Sequence, residues 1–215
     1  MNFGLTTLDC FTMKIICIGR NYVAHIAELN NEQPSEPVIF TKPDSALLRN
    51  NTAFYHPEYS TNIHHEVEIV LKISRVGKGI SEKFAHKYYE EIGLGIDFTA
   101  RDMQAKAKEK GLPWALAKGF DGSAPISKFV SKTDFPDLNK LKFSLKKNGN
   151  LVQEGDTSLM LYNFDFIIHY ISQFITLKKG DLIFTGTPAG VGKVEIGDRL
   201  EGFIEEEKYF DFEVK

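Results

Sequence analysis

The run His64-His65-Glu66-Val67-Glu68-Ile69-Val70-Leu71-Lys72-Ile73 decides how this chain folds and where its chemistry sits. It is rich in β-branched and apolar residues and holds no Gly or Pro, which marks a strand. Side chains alternate across a strand, so Glu66 and Glu68 leave the same face, roughly 7 Å apart at the backbone. Two carboxylates on one face repel each other, and burial strengthens the repulsion. A divalent cation between them removes the conflict. Asp97, about thirty residues on, offers a third oxygen donor. An all-oxygen set suits Mg²⁺, Mn²⁺ or Ca²⁺ rather than zinc. From spacing alone, a solvated strand face is the commoner explanation of such a Glu-x-Glu pair. His64 and His65 are open as extra ligands or as partners in local hydrogen bonds.

Outward from this strand, further strand-like runs occupy 14–18, 37–41, 91–98, 142–148, 181–185, 198–204 and 208–214. Asn148-Gly149 is a two-residue hairpin signal. Three helices are expected. One covers about 81–90. One runs from Ala100 to Lys110, with Thr99 as N-cap, Asp102 completing a capping-box-like spacing, and Gly111 and Pro113 stopping it. The third covers about 163–175, where Phe164, Ile167, Ile168 and Ile171 recur at helical spacing. Strands do not alternate regularly with helices, which argues against a doubly wound parallel sheet. The expected fold is α+β and β-rich, with a curved or rolled sheet. Residues 1–13 read as an N-terminal extension, with Met13 as a possible original start, and 14–215 as one domain. The polar stretch 20–36 reads as a mobile lid.

The bulk properties fit this reading. The chain has 215 residues, 42% hydrophobic and 26% charged, which is enough apolar material for a core without staples. A net charge of −3 argues against a nucleic-acid partner. Two cysteines, Cys10 and Cys17, make no disulfide framework and suggest a reducing, cytoplasmic setting. No apolar run is long enough to span a membrane, and no signal peptide is evident.

Other residue groups could serve the same site. Arg101 and Gln104 are i,i+3 neighbours at the start of the second helix, where the helix dipole favours anions. Lys118 sits in an apolar context and either reaches solvent or lends positive charge to the site. Gly19-Arg20-Asn21-Tyr22 follows the first strand, and His25 and Glu28 come just after it. On a short helix these two would be i,i+3, with the carboxylate able to orient the imidazole as a general base. Thr185-Gly186-Thr187-Pro188-Ala189-Gly190-Val191-Gly192 is Gly-rich but has the wrong spacing for a P-loop. Its backbone amides and the Thr187 hydroxyl could approach an anion; a purely structural turn competes with that reading.

Each of these groups, taken alone, also has an ordinary structural explanation. In this order they resemble the fumarylacetoacetate hydrolase family, nearest its short acylpyruvase and oxaloacetate decarboxylase-like branch. The matching pieces are Gly19-Arg20-Asn21-Tyr22 with His25 and Glu28, Lys42-Pro43, His64 to Glu68, Asp97-Phe98-Thr99-Ala100-Arg101-Asp102 with Gln104, Gly111-Leu112-Pro113-Trp114 with Lys118, and Thr185-Gly186-Thr187-Pro188. They span about residues 14 to 215. One departure is Lys118-Gly119-Phe120, where many members carry Lys-Ser-Phe.

The resemblance implies a mixed β-sandwich roll, a homodimer, and Mg²⁺ or Mn²⁺ held by Glu66, Glu68 and Asp97. It implies that His25 and Glu28 form a catalytic dyad on the lid. It also implies that Lys118, Arg101 and Gln104 stabilise negative charge, that Thr187 contacts the substrate carboxylate, and that Arg20 and Tyr22 contribute to binding. The activity implied is metal-dependent hydrolysis of a C–C bond in an acylpyruvate-type 2,4-dioxo acid. The alternatives are oxaloacetate decarboxylation or keto–enol isomerisation of a 2-oxo diacid, in the manner of 2-hydroxyhepta-2,4-diene-1,7-dioate isomerase. A non-catalytic carboxylate- or metal-binding protein is a third class. Tyr22, Phe40 and Trp114 are candidates for setting the acyl group.

Overall fold

The structure is a computed structural model and describes residues 13–28 and 32–215. Residues 1–12 lie outside the described set, so the expected extension does too. A six-stranded sheet forms the centre, in the order Val38–Lys42, Ile15–Gly19, Leu182–Phe184, Val67–Ile73, Tyr89–Ile96 and Val130–Ser131. Only the Ile15–Gly19 and Leu182–Phe184 pair is parallel; the other neighbours are antiparallel. A second, antiparallel sheet of four strands runs Asn150–Asp156, Lys142–Lys147, Arg199–Ile204 and Glu207–Glu213. One apolar cluster joins the two sheets. Ile69, Leu71 and Leu94 from the first pack with Phe143, Leu145, Ile204, Phe210 and Phe212 from the second. This is the expected β-rich α+β architecture of two sheets sharing a core.

The 64–73 run is not one strand. It divides into Ile63–His65 and Val67–Ile73, with Glu66 at the break. The first piece leaves the main sheet and pairs instead with Gly192–Lys193 and Thr99–Ala100. The break turns the ladder without losing the Glu66 carbonyl, which accepts from Asp97 N–H at 2.8 Å.

Two helix expectations are corrected. The helix expected at 81–90 is only Glu82–Ala85, because Tyr89 and the residues after it are claimed by the central sheet. The second helix begins at Arg101, not Ala100, and Thr99 is not its cap. Thr99 pairs with His64 in a short ladder, and its hydroxyl points back to the Asp97 carbonyl. The Asp102 carboxylate takes Met103 N–H and Ser60 Oγ, anchoring the helix start to the 60s loop. The third helix is as read, Phe164–Phe174, with Asn163 accepting from Phe166 N–H as N-cap. Asn148 and Gly149 both have positive φ, as a type I′ hairpin turn requires.

The stretch expected to be irregular contains a helix, Val23–Glu28, whose His25 and Ile26 are buried. The segment's hydrophobic residues supply the reason: Tyr22 and Ile26 reach the core. Residues 29–31 of that stretch lie outside the described set.

Candidate metal centre and active site

Antiparallel register assembles the carboxylates. Val67 lies opposite Ile96 and Glu68 opposite Gly95. The chain leaving that strand therefore delivers Asp97 beside Glu66. All three side chains are buried, and each offers an oxygen within 4.8 Å of the others. Gly95 has to be glycine, because a Cβ there would come 2.7 Å from the Phe184 ring and 2.9 Å from the Pro125 carbonyl.

Three cations pair with two of the carboxylates, Glu66 and Asp97. The Lys118 ammonium donates to Glu66 Oε2 at 2.8 Å and Asp97 Oδ2 at 2.6 Å. Arg101 pairs with Glu66 Oε1 and also donates to Gln104 Oε1 at 2.8 Å. Lys42, fully buried, lies 2.8 Å from Asp97 Oδ1. Its ammonium directs its protons to the carbonyls of Phe98, Lys118 and Ser123 and to Ser123 Oγ. Asp97 Oδ1 is thus close to a charge but accepts no hydrogen bond.

The electrostatics split the two glutamates. Burial would raise the Glu66 carboxyl, but Lys118 and Arg101 together outweigh it and hold Glu66 well below the usual carboxylate range. Glu68 has no such cation. Burial, then the Asp97 charge, pushes it well above its usual value, while the Gly186 N–H at 2.7 Å pulls the other way. Lys118 is raised, because Asp97 and Glu66 outweigh the cost of burying its charge.

These residues fit a hard divalent cation on two observations. Asp97 Oδ1 is a buried carboxylate oxygen that accepts no hydrogen bond. Glu68 is a buried acid with no cation paired to it directly, and the Lys118 charge offsets its ionised form only in part. All the donors are oxygens, which selects the Mg²⁺, Mn²⁺ and Ca²⁺ class. His64 and His65 stand outside the cluster. His64 bonds Asn62, and burial with the Arg101 charge lowers its pKa to about 4; His65 bonds Gln153.

The 185–192 segment closes one side. Its amides do approach anions, and those anions are protein carboxylates: Gly186 N–H takes Glu68, and Gly190 N–H takes Glu28 at 3.1 and 3.2 Å. Gly186 has φ 106°, and a Cβ there would lie 2.6 Å from Asn21 Cβ. Asn21 in turn donates to the Thr185 carbonyl at 2.7 Å, tying the helix that carries His25 to this turn. His25 Nδ1 is 3.3 Å from Glu28 Oε2, and His25 lines the same pocket as the carboxylates. Arg20, Arg101, Gln104, Lys118 and Thr187 line that pocket as well, with Phe40 and Trp114 as its apolar wall.

Tyr22 is not among the residues lining the pocket; it is buried in the core, its ring edge-on to Phe143 with centroids 6.4 Å apart. The Gly119 departure also has a local account. A Cβ there would meet the Ala115 carbonyl at 2.9 Å and Pro43 Cδ at 3.0 Å, so this backbone has little room for a side chain.

Three residues carry parts that the sequence did not assign. Lys42 was only a fragment of a pattern. Lys108 lines the pocket mouth and follows Arg101 and Gln104 at helical spacing (i, i+3, i+7), a signal that could have found it. Its ammonium lies 5.7 Å from the Trp114 ring centroid; partial burial and then Arg20 and Arg101 lower its pKa. Gln153 had no local signal.

A two-sheet β-rich fold thus gathers a buried cluster of three carboxylates, their facing cations and His25 about one pocket. The sequence profile described as fumarylacetoacetate (FAA) hydrolase C-terminal matches residues 14–210, and the chain belongs to that family. It is 45% identical over 191 residues to human "Oxaloacetate tautomerase FAHD1, mitochondrial", covering 89% of this chain and 86% of that one. It is 44% identical over 189 residues to "Oxaloacetate decarboxylase, mitochondrial" of Dictyostelium discoideum, covering 87% of each. Among solved structures it is similar to fumarylpyruvate hydrolase of Pseudomonas aeruginosa in complex with Mn²⁺ and pyruvate. That match has a TM-score of 0.89 and 33% identity over 94% of this chain and 89% of the other. No helix among the described residues is long and apolar enough to cross a membrane.

Proposed function

We propose that this protein is a Mg²⁺- or Mn²⁺-dependent enzyme acting on a small 2-oxo acid through its enolate, with hydrolytic C–C cleavage of an acylpyruvate-type substrate as its reaction. One observation carries the proposal: an oriented His25–Glu28 pair opens onto the same pocket as Glu66, Glu68 and Asp97. A divalent cation held by those carboxylates supplies Lewis-acid polarisation of a chelating 2-oxo carboxylate. Lys118 and Arg101 stabilise negative charge developing on the enolate oxygen. Gln104 has its carbonyl committed to Arg101, so its amide nitrogen is the end that donates to the ligand. Arg20 supplies positive charge at the carboxylate end, where Thr187 forms part of the wall with its hydroxyl proton held by the Val67 carbonyl. His25, oriented by Glu28, takes a proton from the water that attacks the distal carbonyl. The C–C bond then breaks, its electron pair passes into the pyruvate enolate, and a proton returned to the enolate carbon completes the balance.

A second reading is oxaloacetate tautomerisation or decarboxylation at the same site, favoured by the names of the human and Dictyostelium relatives. In tautomerisation His25 moves a proton at the carbon between the carbonyl and the second carboxylate; in decarboxylation the bond from that carbon to the second carboxylate breaks, CO₂ leaves, the electron pair passes into the enolate and a proton is then returned to the carbon. We further propose a homodimer and a cytoplasmic setting; the two curated relatives are named as mitochondrial.

Turnover of acetylpyruvate, fumarylpyruvate and oxaloacetate with Mn²⁺ tests both readings. His25→Ala should lower hydrolysis by about 10²–10⁴-fold. A His25→Ala enzyme with the wild-type rate on all three substrates would overturn the dyad. Retained decarboxylation with lost hydrolysis would make His25 a water activator alone.

A further inference from the structure

Gln153 is a polar side chain, 1% exposed, on the strand Asn150–Asp156 of the second sheet. It lies far in sequence from every residue placed in the site. Its amide makes four hydrogen bonds, its full capacity. Oε1 accepts from Val67 N–H at 3.0 Å and lies 2.9 Å from His65 Nδ1; Nε2 donates to Thr187 Oγ1 at 2.9 Å and to the Pro188 carbonyl at 3.1 Å. Backbone chemistry fixes the orientation. Val67 N–H can only donate, so the amide oxygen faces it, and the Pro188 carbonyl can only accept, so the nitrogen faces that. His65 therefore carries its proton on Nδ1. Thr187 accepts from Gln153 and gives its only proton to the Val67 carbonyl, 2.9 Å away.

Val67 is the residue between Glu66 and Glu68. Gln153 grips its N–H directly and its carbonyl through Thr187. Glu66 stands where the strand breaks, so no continuous ladder holds that peptide on both sides. We propose that Gln153 is the positioning residue of this centre: it clamps the peptide between Glu66 and Glu68 to the 185–190 turn, fixing the glutamates' separation and the direction of the Thr187 hydroxyl. The same turn presents Gly186 N–H to Glu68 and Gly190 N–H to Glu28, so one amide braces the cation ligands and the dyad together. Gln153 touches neither the ligand oxygens nor the pocket.

The inference rests on the metal reading of Glu66, Glu68 and Asp97, and the test separates the two. Gln153→Met keeps length and removes every hydrogen bond. Mn²⁺ affinity of chelator-stripped protein is read by electron paramagnetic resonance, and the His65 Nδ1 proton by NMR. The clamp predicts that Q153M weakens Mn²⁺ binding by about tenfold or more, the range for groups that orient metal ligands, and removes the protected His65 signal. Equal Mn²⁺ affinity in wild type and Q153M, with only a lower melting temperature, would reduce Gln153 to a structural residue. Wild-type protein that binds no Mn²⁺ would overturn the metal reading itself. Should Q153M not fold, Gln153→Glu keeps the accepting oxygen and loses both donors. Oxalate affinity of its Mn²⁺ complex should then fall about tenfold and recover, relative to wild type, as acid restores one donor. Affinity equal to wild type at every pH would overturn the clamp.

Discussion

Replacing Glu68 by Gln should stabilise the metal-free protein and destabilise the metal-loaded one. The three acidic side chains place oxygens within 4.8 Å of one another, where two unit charges repel by about 3.5 kcal/mol at an effective dielectric of about 20. Lys118 and Lys42 serve Asp97, and Lys118 and Arg101 serve Glu66; Glu68 has Gly186 N–H, which a Gln oxygen can also accept, more weakly than a carboxylate. Allowing for protonation of Glu68 and the offset from Lys118, metal-free E68Q should gain about 1–2 kcal/mol. For a chain of this size that is a rise of about 2–8 °C in melting temperature.

The pH dependence has a fixed sign. The folded-state value of Glu68 is raised above the ordinary 4.5 by burial and Asp97. Below the ordinary value both folded and unfolded states are protonated, and the residue costs nothing. As pH rises through it, the unfolded state ionises first and the metal-free protein loses stability. The advantage of E68Q should therefore widen with pH. With Mn²⁺ at about 1,000 times its Kd the wild type gains about 4 kcal/mol, or about 8–16 °C, and the variant, lacking one charged ligand, gains much less. Thermal melts of both proteins with chelator and with Mn²⁺ check the inversion. A variant that melts below wild type in both states, with equal Mn²⁺ shifts, would refute the reasoning.

Other outcomes follow from the same geometry. Lys108→Met removes a charge at the pocket mouth, so KM for oxaloacetate or fumarylpyruvate, which carry a second carboxylate, should rise about tenfold while KM for acetylpyruvate holds within about twofold; steady-state kinetics on the three substrates measures the split. Gly186→Ala forces a Cβ into Asn21 at φ 106° and should cost about 2 kcal/mol or more in urea unfolding. Asp211 is held down to about 2 by its hydrogen bonds from Arg199 and Lys208, so its contribution is present above the ordinary 3.8 and lost as pH falls through that range. The gap in urea midpoint between wild type and Asp211→Asn should narrow as the pH is lowered from neutral towards 3, and more salt should narrow it at neutral pH too.

Local pattern carried much of this centre. Glu66 and Glu68 were legible because a strand's two-residue period puts them on one face, and Asp97 because the ordered motifs around it pointed the same way. The helix Phe164–Phe174 was legible because its cap and apolar period agree. What was not legible depended on partners distant in sequence. Thr99 has the chemistry of a cap, but His64 takes its backbone into a ladder. Residues 86–90 continue a helical run, yet the central sheet claims Tyr89. Tyr22 sits next to Arg20 and Asn21 in the motif, and only the packing against Phe143 shows that it faces the core. Gln153 reads as an ordinary strand polar residue, because its inward face is set by a sheet-to-sheet contact no local window contains.

Turnover of a 2-oxo acid should depend on a divalent cation held by Glu66, Glu68 and Asp97. Calorimetric titration of chelator-stripped protein with Mn²⁺ in the presence of oxalate tests it most directly. One saturable Mn²⁺ site per chain is expected in the wild type, lost in Asp97→Asn while the variant remains folded by circular dichroism. A folded Asp97→Asn protein that binds Mn²⁺ and oxalate as the wild type does, or a wild type that binds none, would contradict it.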